Sequence, residues 1–204
     1  MIMIIFKVRR VLSFFVLLFL GTLAFTSCDK IGYKHKPKPK EIGDKLDSLN
    51  GVFVYYNSSV KNVSGRNMTA DGYNLGLKYQ CVEFVKRYYY EHLDHKMPNS
   101  YGHAKDFFVK GLADGKMMKH RNLIQYTNPS SSKPKGNDLL VFDGHTFNKF
   151  GHVAIISKVT ENKIEIIQQN PGAYSKSREN FTLENKKEKW KIQNKRVLGW
   201  LRKK

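Results

Sequence analysis

Acid is scarce in this 204-residue chain. Seventeen aspartates and glutamates face 36 lysines and arginines, a formal net charge of +19. That imbalance turns the chain toward anionic partners, whether nucleic acid, a membrane surface or an acidic polymer such as cell wall, without choosing among them. Cysteine is nearly absent too. Only Cys28 and Cys81 occur, too few for a small secreted domain stapled by several disulfides. No internal repeat is visible. The length suits one domain with a proper core and not two large ones. The stretch His92-Leu93-Asp94-His95 has none of the familiar zinc spacings, so neither a metal nor a cofactor is expected.

Charge is missing altogether from Val11 to Ser27, a run rich in Leu, Phe and Val that follows Lys7, Arg9 and Arg10. A basic segment leading into an apolar one is the pattern of a secretory signal peptide. The run ends in Phe25-Thr26-Ser27-Cys28, which resembles a bacterial lipoprotein processing site, with Phe25 where Leu is usual. Residues 1–27 are therefore expected to be a lipoprotein signal peptide, and Cys28 the lipidated residue. An uncleaved signal anchor is the alternative, since a run of this length can just span a bilayer. Either outcome tethers the remainder, with a net charge of +16, to a membrane of the bacterial cell envelope, facing away from the cytoplasm.

Residues 28–45 read as a tether. Lys34-His35-Lys36-Pro37-Lys38-Pro39-Lys40 cannot build a core and favours extended chain. Residues 46–204 are expected to fold. Gly51–Tyr56 is β-like, and Asn57–Tyr73 reads as loop. Tyr79–Leu93 has helical spacing, with Val82, Val85, Tyr89 and Leu93 on one face. A second helix is expected over Ala104–Leu112. Strands are expected at Leu139–Phe142, Val153–Ile156, Lys163–Gln168, Phe181–Leu183 and Val197–Leu201. Helices followed by an antiparallel sheet make an α+β fold. Tyr88, Tyr89 and Tyr90 are read as groove-side aromatics rather than a base-stacking platform, so nucleic acid is not expected as a partner.

Three residues stand out chemically. Cys81 sits where loop gives way to helix, and the free N–H groups there favour a thiolate and an oxyanion. Gln80 beside it offers a side-chain donor. His152 opens a strand and is the candidate base, with Gly151 before it leaving room for a substrate backbone. Gln168 ends the neighbouring strand and offers an amide oxygen to orient the imidazole. Taken singly, each has an ordinary structural reading: a core cysteine, a satisfied histidine, a turn.

Taken together, Tyr79-Gln80-Cys81-Val82-Glu83-Phe84-Val85, Gly151-His152-Val153-Ala154-Ile155-Ile156 and Gln168-Gln169-Asn170 resemble the CHAP family, the cysteine, histidine-dependent amidohydrolases/peptidases. Gly136–Asp143 fits as well. The resemblance runs from about residue 50 to residue 202 and is strongest to the amidase domain of bacterial glutathionylspermidine synthetase/amidase. It implies a papain-like fold, Cys81 as nucleophile, His152 as general base, Gln168 as third member and Asn170 lining the site. Many relatives carry Glu where this chain has Gln168, and Arg in the stretch around Lys86. The implied activity is amide hydrolysis by a monomer. Peptidoglycan peptides are the first candidate substrate and a small peptide–amine conjugate is the second; a non-catalytic cell-wall binding module on the same fold is the remaining alternative.

Overall fold

Two unbroken apolar runs become the middle of the main sheet. Leu139–Phe142 (β7) and His152–Val159 (β8) pair antiparallel, and Leu139 to Val141 and Val153 to Ile156 are fully buried. Strands covered on both faces need no polar alternation, which is why these segments read as continuous. Their side chains still alternate in direction. Leu139, Val141, Val153 and Ile155 join one core, whereas Leu140, Phe142, Ala154 and Ile156 join another.

The computed structural model describes residues 38–172 and 176–204. The expected signal peptide 1–27, Cys28 and most of the 28–45 tether lie outside the described residues. From Lys40 onward the chain forms one compact unit. It opens with an antiparallel pair, β1 (Lys45–Leu49) and β2 (Val52–Tyr55). A second pair follows, β3 (Arg66–Met68) and β4 (Asn74–Leu77). The helix α1 spans Cys81–Glu91. Further on come β5 (Lys116–Met118), β6 (Leu123–Thr127), β9 (Lys163–Ile167), β10 (Arg178–Lys186), β11 (Lys189–Ile192) and β12 (Val197–Arg202). The eight-stranded sheet has the order β11-β10-β9-β8-β7-β12-β6-β5.

One face of that sheet takes α1. Phe84, Val85, Tyr88 and Tyr89 are buried against it, a stripe that matches the helical period. The other face curls upon itself. Leu183 of β10 and Ile192 of β11 reach the same cluster as Trp200 of β12, and Ser130 pairs with Trp190 across the gap. The class is α+β, as expected, with one departure in its helical layer. Ala104–Leu112 forms no α-helix but a 3-10 turn at Ala104–Phe107. Asp106 folds back to accept the His103 N–H at 2.8 Å, and the chain turns extended at Phe108. Arg66–Met68, expected to be loop, pairs with β4 despite having no apolar alternation.

A buried carboxylate ties the helix to these layers. Glu83 is 2% exposed. Its Oε1 accepts from Arg87 Nε at 2.6 Å and from Asn67 Nδ2 at 2.8 Å, and its Oε2 accepts from Gln169 Nε2 at 2.9 Å. Gly76 makes room for it: a Cβ there would lie 3.3 Å from the Glu83 backbone, at a φ of +129° that side chains rarely adopt. Replacing Glu83 by Ala strands the Arg87 guanidinium in the interior, a change that costs about 3–5 kcal/mol. We expect Glu83→Ala to lower the urea midpoint accordingly and Glu83→Gln to lower it less, because the amide still offers an acceptor. Equal midpoints for wild type and Glu83→Ala would refute this assignment.

Candidate functional site

The chain enters α1 through a strained corner. Tyr79 has φ +65°, a left-handed conformation that bulky side chains rarely take. It is held by ring contact with Tyr55 at 5.4 Å. Gln80 is the N-cap and Cys81 the first helical residue. Cys81 is a free thiol, partly buried in the floor of a cavity of about 660 Å³ whose wall also includes Gln80, His152 and Asn170. The backbone N–H groups of Val153, Val82 and Cys81 itself favour its ionised form. The helix start and the start of β8 both line this cavity.

His152 is the first residue of β8. Its Nε2 lies 3.0 Å from Gln168 Oε1, which leaves Nδ1 as the ring nitrogen free to serve a reacting group. The amide of Gln168 is oriented from its other end: Nε2 donates to Lys176 O at 3.1 Å and to Glu179 Oε2 at 3.3 Å. With both donors committed, the oxygen must face the imidazole, which therefore carries its proton on Nε2. Gly151 is required for a different reason than substrate access. Its φ is +77°, and a Cβ would lie 2.6 Å from Phe142 O and 3.0 Å from Lys105 Cβ. The protein's own chain, not a ligand, occupies that space.

The electrostatics keep both reactive groups neutral in the free site. Burial pushes the Cys81 thiol up to about 11, outweighing the backbone N–H groups that pull it down. Burial likewise holds the His152 imidazolium down to about 4; Gln168 opposes this and Arg196 adds to it. The helix terminus expected to favour a thiolate is present but does not win against desolvation. Gln168 is uncharged and brings no field to stabilise an imidazolium.

Gln80 and Asn170 form one wall rather than a pair of donors aimed into the cavity. Gln80 Nε2 donates to Asn62 O at 2.8 Å and to Val60 O at 3.1 Å, which uses both of its hydrogens. Its Oε1 accepts from Asn170 Nδ2 at 2.8 Å. Gln80 therefore fixes the 57–65 loop beside the cavity, and the expected side-chain oxyanion donor is engaged elsewhere. Asn170 takes φ +52°, a conformation that asparagine tolerates. Gln169, between the two site residues, turns inward. It donates to Gln80 O at 3.0 Å and to Glu83, and accepts from the Tyr55 N–H at 2.8 Å.

Two buried cations that sequence reasoning left unassigned brace the opposite wall. Lys86 donates to Asn74 O and to Ser100 O, and its ammonium lies 4.7 Å from the Tyr73 ring centre. Arg121 donates to Asn99 O and Tyr101 O over the face of Phe107. Together they pin residues 99–101, and Gly102 and His103 directly after them line the cavity. The remaining candidates fall elsewhere. His92 meets Asn50, whereas His95 bonds to Arg121 O. Tyr88 and Tyr89 are core residues.

Comparison with known proteins bears on this segment. Residues 70–170 match the family model of the CHAP domain. A trypanothione synthetase from Crithidia fasciculata is 28% identical over 117 residues, which is 57% of this chain and 18% of that relative. The chain thus spans less than a fifth of that relative's length. Two solved structures of Ly7917 were also found. The one with the hydrolyzing product of MDP aligns with a TM-score of 0.39 and 14% identity over 62% of this chain and 54% of that one. The other aligns with a TM-score of 0.38 and 12% identity over 72% and 58%. The match covers the segment that brings Cys81, His152, Gln168 and Asn170 to one place, and that segment is similar to a CHAP domain.

Proposed function

We propose that this protein is a cell-envelope cysteine amidohydrolase. The observation that carries the reading is the join between α1 and β8. Gln168 holds His152 at 3.0 Å, and His152 lines the same cavity as Cys81 at the start of α1. A thiol and an oriented imidazole thus share one cavity. Because both groups start neutral, His152 takes the thiol proton as the sulfur attacks the amide carbon. The helix-terminal N–H groups at Cys81 and Val82 are the nearest donors to the oxyanion that forms. The imidazolium then gives its proton to the departing amine, and water, activated by His152, releases the acyl group from the sulfur.

Peptidoglycan peptides are the proposed substrate. The net charge of +16 that remains after residues 1–27 favours a polymer that carries carboxylates. A lipid anchor at Cys28 would hold the domain at the envelope, where that polymer is the abundant source of amides. A second reading, cleavage of a small peptide–amine conjugate, rests on the similarity to a trypanothione synthetase. Purified sacculi separate the two. The first reading expects new amino groups to be released, and Cys81→Ala to abolish the release. Inert sacculi together with turnover of a soluble glutathionyl–amine conjugate would replace it with the second. The anchor has its own test: radiolabelled palmitate should enter the full chain and not its Cys28→Ala variant, and labelling that survives the substitution would remove the anchor from the proposal.

The pH dependence follows from the neutral pair. His152 is a base only when unprotonated. With its imidazolium depressed to about 4, kcat/KM should stay flat through the ordinary histidine range and fall only toward pH 4. Iodoacetamide alkylation of Cys81 should be slow near neutrality, because a thiol held near 11 is scarcely ionised there. Gln168→Glu places a carboxylate against the imidazole. It should move the acid limb of kcat/KM to higher pH and speed alkylation, by about threefold for each unit the thiol is lowered, since nucleophilicity falls as ionisation rises. An alkylation plateau well below pH 8 in the wild type would instead reveal a preformed thiolate–imidazolium pair.

A further inference from the structure

A second cavity, of about 360 Å³, opens on the far side of His152. It shares Val60, Phe147, Asn148 and His152 with the cavity around Cys81, but Cys81 is not among its walls. The chemistry assigns the two halves. The acyl carbon must sit on the Cys81 sulfur, and the departing nitrogen must lie within reach of His152 Nδ1, where the two cavities meet along Val60, Phe147 and Asn148. The acyl part of the substrate therefore belongs in the larger cavity, and the remainder of the amine part extends into the smaller one.

The linings differ in character. The larger cavity is walled by Val60, Val63, Leu77, Val82, Phe147 and Phe150, among others. The smaller one presents Arg196, Glu179, His145 and Asn194 beside the rings of Phe142 and Phe181. Arg196 and Glu179 make no ion pair with each other among the described residues. Arg196 uses Nε and Nη2 on the Asp143 carbonyl, each at 3.3 Å, and its backbone N–H is anchored by Asn194 Oδ1 at 2.9 Å. Its Nη1 has no partner among the described residues. Glu179 gives Oε2 to Gln168 at 3.3 Å and keeps Oε1. Two opposite charges that face one cavity without neutralising each other are complementary to a ligand that carries both.

We infer that the cavity beyond His152 is the leaving-group subsite and that it takes a diamino acid, whose carboxylate meets Arg196 and whose second ammonium meets Glu179. The inference rests on the amidohydrolase reading and narrows it. An amine without a carboxylate, such as a polyamine, would leave Arg196 unmet and face its repulsion. The scissile bond is then one in which the acylated nitrogen belongs to the diamino acid, and hydrolysis frees that amino acid with its carboxylate intact.

The test uses three soluble substrates with a common N-acetylalanyl group, joined to lysine, to norleucine or to cadaverine. Norleucine lacks the ammonium and cadaverine lacks the carboxylate. Lysine should exceed each of the others in kcat/KM by about tenfold or more, the discrimination expected when a built charge partner is left unmet. Arg196→Gln should collapse the lysine-to-cadaverine ratio while retaining the lysine-to-norleucine ratio, and Arg196→Lys should restore it. Glu179→Gln should do the reverse. Ratios are the proper readout because both residues lie near His152 and Gln168, so their loss also changes absolute rates. Equal rates for the three amines, or ratios unmoved by Arg196→Gln, would overturn the subsite and leave the amidohydrolase intact. If the wild type turns over none of them, calorimetric titration with free lysine and with cadaverine decides. Selective binding of lysine that Arg196→Gln removes keeps the subsite and leaves the hydrolase to the sacculi measurement, and the absence of selective binding discards the subsite.

Discussion

The Glu83 carboxylate is the interaction on which the site depends. It stands in the first turn of α1, where the helix dipole favours an anion, and it is out of water. The gain from the dipole is small beside the cost of burying a charge, so the group needs its three donors. Each donor comes from a different part of the chain: Arg87 from the next helical turn, Asn67 from β3 and Gln169 from the segment after β9. Arg87 extends the tie to Phe53 O on β2. The residue that presents the candidate nucleophile is two positions before Glu83, and the residue that orients the candidate base is next to Gln169. One carboxylate thereby sets the distance between two groups that are 87 residues apart in sequence.

The surroundings of the two reactive groups follow from the same economy. A sheet whose central strands are covered on both faces supplies a dry seat for His152 and the sulfur of Cys81. Dryness disfavours both charged forms, which argues for attack with concerted proton transfer over a standing ion pair. Gln168 suits that regime. An amide fixes the tautomer without stabilising the imidazolium, whereas a carboxylate in its place would favour ionisation before any substrate arrived. Lys176 O and Glu179 decide which end of the amide faces the ring, so a neutral third residue does its orienting work only because its far end is committed.

The parts of this arrangement that were readable in the sequence are those with local causes. The apolar runs at Leu139–Phe142 and Val153–Ile156 announce doubly covered strands, and Val82 to Tyr89 announces a helix by its period. The loop-to-helix position of Cys81 and the strand-opening position of His152 follow from those readings. What was not readable depends on partners distant in sequence. Arg66–Met68 is a strand only because β4 pairs with it, and Lys189–Ile192 only because β10 does. The helix expected after Ala104 fails because Asp106 caps back on His103 and the chain then runs extended. Gln80 looked like a free donor because nothing local reveals that Val60 and Asn62 claim its amide. The sequence assigns Gln169 no role, yet its side chain is fully buried and joins three segments.

The basic surplus divides into two physically different populations. Most lysines lie on the surface, where they set the long-range attraction to anionic polymers and are screened by salt. Lys86 and Arg121 are interior, and their hydrogen bonds and ring contacts run to backbone carbonyls and aromatic faces. Burial draws Lys86 down to about 7, with Arg121 and Arg66 adding repulsion. These two residues fix residues 99–101 at the edge of the groove by satisfying carbonyls that a buried loop would otherwise leave unpaired. A wall built that way is stiff. The facing β7–β8 connection, by contrast, leaves Phe147 94% exposed between the two cavities. A substrate of the proposed kind would lie between a wall held by two buried cations and this exposed aromatic ring.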